Sequence, residues 1–184
     1  MGFRVRAIEI TLTIIVILLI MATLFVTKAA SADDTLDLQC SDWAEQHTYD
    51  KSERYAEYYS NVEHLIPEIR SILIDHDLSP KWIWLMLVES GGKIDNESDA
   101  GARGLWQLTK STARHYGCHN RKDPIENTKA AAKYISKLMR DFDGDIWSVV
   151  VGYNMGGSNF KSCGKPTDEA KALADIVTCL MVVR

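Results

Sequence analysis

The stretch from Trp82 to Val88 (WIWLMLV) contains no polar residue. Ser79 precedes it as an N-cap, Pro80 follows as a first helical residue, and Gly91-Gly92 stop it. A helix that is apolar on every side has no face for water and lies inside the molecule. The rest of the fold must therefore be arranged around it. Glu89 closes this helix, which puts a carboxyl at the edge of a core. Desolvation disfavours the charged form and raises the pKa of such a group. A carboxylic acid that keeps its proton near neutral pH can act as a general acid. The competing reading is a glutamate that emerges into solvent beside a glycine stop.

Residues 1–32 stand apart from this domain. Arg4 and Arg6 precede an apolar run from Ile10 to Val26, and Ala30-Ser31-Ala32 then offers a small-x-small cleavage site. That is the layout of a secretory signal. The run is also long enough to span a bilayer as an uncleaved anchor, with the arginines favouring an inside N-terminus. In both cases the N-terminal segment engages the membrane and 33–184 is exported. Gln39 stands where a lipid-attachment site at Cys40 needs a small residue. Arg4, Arg6 and Lys28 outweigh Glu9 within 1–32, so the remainder is more acidic than the whole chain's net −4. An acidic domain is a poor match for a phosphate backbone, and no nucleic-acid partner is expected. The cysteines are Cys40, Cys118, Cys163 and Cys179. An even count in an exported chain favours disulfides, and the spacing leaves all three pairings open.

Helical periodicity dominates 33–184, and no segment alternates as a strand. Residues 51–60 predict a helix with Tyr55, Tyr58 and Tyr59 inward, and 62–76 a second. The buried helix over 80–90 is followed by a Gly/Asp/Asn/Ser-rich loop to 104 and a short helix over 105–116. Asp123-Pro124-Ile125-Glu126 reads as a capping box that opens a long helix. Asp143 or Asp145 starts another, stopped by Gly156-Gly157, and Thr167 caps the last. The expectation is an all-α domain of short packed helices. His115, Cys118 and His119 lack a fourth zinc ligand at regular spacing. Asp141, Asp143 and Asp145 lack the full twelve-residue calcium pattern. No metal and no cofactor is expected.

Three segments in order carry a resemblance. They are Glu89-Ser90, then Gly101-Ala102-Arg103-Gly104-Leu105-Trp106-Gln107-Leu108, then Gly152-Tyr153-Asn154-Met155-Gly156. Together they resemble the Slt-type lytic transglycosylases of glycoside hydrolase family twenty-three, which have a lysozyme-like (goose-type/Slt) fold. Leu65-Ile66-Pro67, Leu78-Ser79-Pro80, Arg114-His115-Tyr116-Gly117 and Asp123-Pro124 are similar to the membrane-bound lytic transglycosylase D subgroup. The likeness covers roughly Glu53 to Phe160. It departs at Gly92-Lys93-Ile94, where the subgroup has an aromatic and an Asn/Asp-Pro pair, and at Thr109-Lys110, where it has Met-Pro.

The resemblance implies that 33–184 is a catalytic domain acting on peptidoglycan glycan strands. It implies cleavage of the β-1,4 bond between N-acetylmuramic acid and N-acetylglucosamine, with closure of a 1,6-anhydro ring in place of hydrolysis. Glu89 is then the acid and afterwards the base, and Tyr153 orients it. Ser98, Gln107 and Asn154 are the implied substrate-binding residues, with Asn154 also holding the neighbouring backbone. The implied location is the bacterial periplasm or cell envelope. A small domain of this kind equally fits general wall turnover and a dedicated role beside a secretion or conjugation apparatus. Two other readings stand beside it: a hydrolytic lysozyme with a second carboxylate such as Asp99, and a non-enzymatic glycan-binding component of an envelope assembly.

Overall fold

The computed structural model describes residues 53–182. The apolar run, the boundary at residue 32 and Cys40 lie outside the described residues. Those described open in helix α1 (53–60). There follow α2 (Ile66–Ile74), α3 (Ile83–Ser90), α4 (Lys110–His115), α5 (Pro124–Asp141), α6 (Ile146–Met155), α7 (Gly157–Cys163) and α8 (Asp168–Val182), with single 3-10 turns at Glu63–Leu65 and Pro80–Trp82. The all-α expectation holds. The extended contacts among the described residues are isolated bridges, Glu97 with Arg103 and Arg103 with Leu108.

The apolar helix behaves as its composition dictates. Ser79 is extended and its Oγ accepts from Lys81 N at 3.3 Å, while Pro80 begins a 3-10 turn that runs on into α3. Trp82, Ile83, Leu85, Met86 and Leu87 are all buried. Each such side chain contributes roughly 1.5–3 kcal/mol by leaving water. Trp84 and Val88 are half-buried. The edge of the Tyr55 ring meets Trp84 at 6.2 Å, so α1 covers part of α3. Gly91 adopts the left-handed conformation and closes the helix by donating to Leu87 O. Gly92 then passes so close to α1 that a Cβ there would lie 2.1 Å from Tyr58 O. The missing aromatic at Gly92 thus reflects the seat of α1 on this turn.

Around α3, α8 packs against both α3 and α6, α5 bridges α2 and α6, and α7 returns onto α6. Local signals set most boundaries. Asp123 Oδ1 accepts from Ile125 N and Glu126 N at the start of α5. Glu126 does not complete a capping box; its Oε2 instead accepts from His119 N and Asn120 N. Asp145, not Asp143, caps α6 through Ser148 N. Thr167 Oγ1 accepts from Ala170 N in the first turn of α8.

Two expectations need correction. The helix predicted over 105–116 begins only at Lys110, with Thr109 as its N-cap. Residues 105–108 are a turn in which Gln107 has φ 45°. Cys118, buried, and Cys163, exposed, are free thiols rather than members of a bridge. Cys179 is disulfide-bonded.

Candidate active site

Glu89 sits in the last turn of α3, among the carbonyl ends of the helix, where a negative charge is disfavoured. Burial pushes its carboxyl up to about 7, and the charge of Glu169, in the first turn of α8, adds to the rise. Among the described residues, no side chain donates a hydrogen bond to it. A carboxyl so placed is partly protonated at neutral pH and is able to give up or take a proton there.

Tyr153, on α6, is near enough to this acid to feel its charge. Burial drives its hydroxyl well above the ordinary phenol value, and the charges of Glu89 and Tyr134 push in the same direction. Its hydrogen bond, however, goes to the backbone: the hydroxyl donates to Trp106 O at 2.6 Å. Tyr153 therefore ties the 96–108 loop to the helix core, close enough to Glu89 to feel its charge.

The loop is pinned from several sides. Trp106 is buried; its backbone N donates to Asn127 Oδ1 and its Nε1 to Thr128 Oγ1, both at 2.9 Å. Asn127 Nδ2 donates to Arg103 O at 3.3 Å. Gln107 Nε2 donates to Asn96 O at 3.1 Å and Gly104 O at 2.9 Å. Arg121 Nη1 donates to Gly101 O at 2.6 Å and Leu108 O at 3.1 Å. Gly104 is needed at the centre, because a Cβ there would come within 2.3 Å of Arg121 O and its φ is 86°.

The sequence-derived candidates divide. Glu89 and Tyr153 come together. Gln107 is part-buried and both of its amide hydrogens have backbone acceptors, which leaves its side-chain oxygen to meet a ligand. Ser98 is exposed in the loop, where its Oγ accepts from Ala102 N at 3.1 Å. Asn154 is exposed, and its side chain makes no hydrogen bond with the described residues. The backbone on either side of it is held by Tyr134, whose hydroxyl donates to Gly152 O at 3.0 Å and accepts from Gly157 N at 3.4 Å. Asp99, the lysozyme candidate, is exposed. Asp141 pairs with Lys137 and Lys161 and Asp145 caps α6, so their carboxylates are already committed.

Tyr134 connects Tyr153 to the wall of an open cavity. It tilts against Tyr153 with centroids 5.2 Å apart and stacks on Tyr116 at 5.3 Å. Tyr116, Tyr134, Thr112, His115 and Asn159 line a cavity of about 520 Å³. Aromatic faces beside hydroxyl and amide groups suit a ligand that is apolar on one face and polar at its edge. Sequence reasoning missed Asn127, Thr128 and Tyr134. Their signal was present, since Asn127 and Thr128 are polar residues on the face of α5 that also carries Ala131, Ala132 and Ile135. Buried polar groups need a partner, and here the partner is the loop.

Residues 77–176 match the family model described as Transglycosylase SLT domain. Membrane-bound lytic murein transglycosylase F of Haemophilus influenzae (strain PittGG) is 32% identical over 108 residues, which are 54% of this chain and 22% of that protein. Membrane-bound lytic murein transglycosylase D of Escherichia coli (strain K12) is 34% identical over 99 residues, 47% of this chain and 22% of that protein. The chain thus spans about a fifth of the length of these curated relatives. The X-ray structure of an inactive mutant of lytic transglycosylase Slt from Pseudomonas aeruginosa superposes with a TM-score of 0.56 at 20% identity, covering 61% of this chain and 22% of that one. At that identity the likeness establishes the fold.

Proposed function

The chain belongs to the transglycosylase SLT domain family, and from that membership we propose that it is a peptidoglycan lytic transglycosylase. It cleaves the β-1,4 bond between N-acetylmuramic acid and N-acetylglucosamine and leaves a 1,6-anhydro end. The observation that carries this reading is Glu89, a carboxyl at the end of α3 that burial pushes up to about 7. In the first half-reaction Glu89 donates its proton to the bridging oxygen as the C1–O bond breaks. In the second, the same group, now ionised, takes the proton of the C6 hydroxyl, whose oxygen closes on C1. The proton returns to Glu89, no water is consumed, and one carboxyl suffices, in contrast to the two of an ordinary glycosidase. A pKa near neutrality serves both halves, because neither protonation state is strongly favoured.

Gln107 offers its side-chain oxygen to the glycan, and Tyr153 fixes the loop that carries it. Ser98 is a sugar contact at the exposed edge. Residues 33–184 form the catalytic domain. Residues 1–32 are a signal or an inner-membrane anchor, and the domain works in the cell envelope, as the membrane-bound relatives' names suggest for them. The test is product analysis. Wild type incubated with sacculi yields 1,6-anhydro muropeptides by mass spectrometry, and Glu89→Gln yields none. Reducing-end products alone would overturn the reading in favour of a hydrolytic muramidase. Glu169, whose charge acts on Glu89, is then a better second carboxylate than Asp99.

A further inference from the structure

On the other side of α4 from the tyrosine cavity lies a basic one. Lys110, Arg114 and Arg121 form the common wall of two adjoining cavities of about 240 and 640 Å³. This concentration of positive charge is unexpected in a chain of net charge −4. Two neighbouring cations are already neutralised: Arg103 pairs with Asp95 and Glu97, and Lys122 with Asp95. Lys110, Arg114 and Arg121 have no carboxylate partner among the described residues. Lys110 and Arg114 are exposed. Arg121 is held in place through Nη1 on two loop carbonyls, so its remaining guanidinium hydrogens are pre-positioned without being used. Gly101 opens the larger cavity, since a Cβ there would meet nothing within 4 Å.

Ser111 lines both this cavity and the tyrosine cavity, so a bound strand occupying one reaches the other. We propose that Lys110, Arg114 and Arg121 form an anion subsite that takes the free carboxylates of the peptide stems on peptidoglycan strands. The proposal rests on the transglycosylase reading for its ligand. A stem peptide hangs from the lactyl group of the muramoyl sugar and ends in carboxylates. A strand lying along the tyrosines therefore brings acidic groups beside its path, and planar guanidinium groups match carboxylates in geometry as well as charge.

The test separates the subsite from the reading it rests on. The full chain as Glu89→Gln, which binds without turnover, is measured for affinity to peptide-bearing glycan strands and to strands stripped of peptide by an amidase, which leaves one lactyl carboxylate on each muramoyl sugar in place of the several carboxylates of the stem. The peptide-bearing form is expected to bind about tenfold more tightly at low salt, and raised ionic strength erodes the difference. Adding Lys110→Gln and Arg114→Gln is expected to abolish that preference and leave binding to stripped strands unchanged. Lys110→Gln alone reduces it partially and serves if the double substitution does not fold. Equal affinity for the two materials, or a preference that survives the substitutions, overturns the subsite. A peptide preference unaffected by the substitutions, alongside loss of binding to phosphatidylglycerol vesicles, overturns it in favour of a membrane-surface role. Cleavage is followed separately with wild type: failure to cut either material defeats the transglycosylase reading, while the binding preference still reports on the subsite.

Discussion

At the end of α3 a carboxyl has been left without a hydrogen-bond donor among the described residues; in the 96–108 loop nearly every backbone turn is tied to something. The two meet at Tyr153, which feels the charge of Glu89 and donates its hydrogen bond to the loop. The contrast separates two jobs. The acid needs an environment that refuses it stabilising donors, because each donor would favour the anion and lower its pKa. The loop needs the reverse, because an irregular segment holds one shape only when its amides and carbonyls are satisfied. Tyr153 and Asn127 serve the loop, and neither donates a hydrogen bond to the acid.

The largest effect tests the acid. Glu89→Gln is expected to reduce turnover of sacculi by at least about 10²–10⁴-fold. The same substitution should raise stability, with a sign fixed by linkage. The folded-state pKa of Glu89 is raised from 4.5 to about 7, so the folded chain binds more protons between those values. The wild-type contribution is present in full below pH 4.5 and is lost as pH rises to 7. Denaturant melts at pH 8 should therefore find Glu89→Gln more stable by roughly 1–3 kcal/mol, and melts at pH 4 should find little difference. No gain at pH 8 breaks the contrast from the acid's side.

The loop is tested next. Asn127→Ala removes the acceptor of Trp106 N and the donor to Arg103 O from a fully buried site. A loss of about 2–5 kcal/mol is expected, with activity falling as the loop loosens. Tyr153→Phe strands only the carbonyl of Trp106 and should cost about 1–3 kcal/mol. It sharpens the comparison most. If the hydroxyl serves the loop, the alkaline limb of the pH–rate profile stays in place; if it donates to Glu89, that limb moves to higher pH. The smallest effect is at Glu169→Gln, which removes a like charge and shifts the alkaline limb to lower pH while leaving thermal stability of the loop alone.

What could be read in the sequence follows the same division. The α3 helix was legible because its burial is written in its own residues, and Ser79, Asp123, Asp145 and Thr167 were legible because caps act within one turn. The turn at 105–108 was not, because Leu105-Trp106-Gln107-Leu108 continues an apolar pattern that a helix would also accept. What decides against helix is remote: Asn127 and Thr128 claim the backbone and the indole of Trp106 from α5. Glu169 was invisible for the same reason, since only the packing of α8 on α3 brings it near Glu89. Tyr134 is a contact of the same kind, since its hydroxyl reaches Gly152 O across from α5. The polar residues of α5 within a buried stripe were the available warning, and they pointed to the loop.

The most direct measurement is a carbon-13 NMR titration of the glutamate side-chain carboxyls, with Glu89 assigned by its disappearance in Glu89→Gln. A midpoint close to 7 is the expected result. A midpoint close to 4.5, the value of a freely solvated glutamate, would mean that α3 delivers its terminal carboxyl to water and would contradict the account.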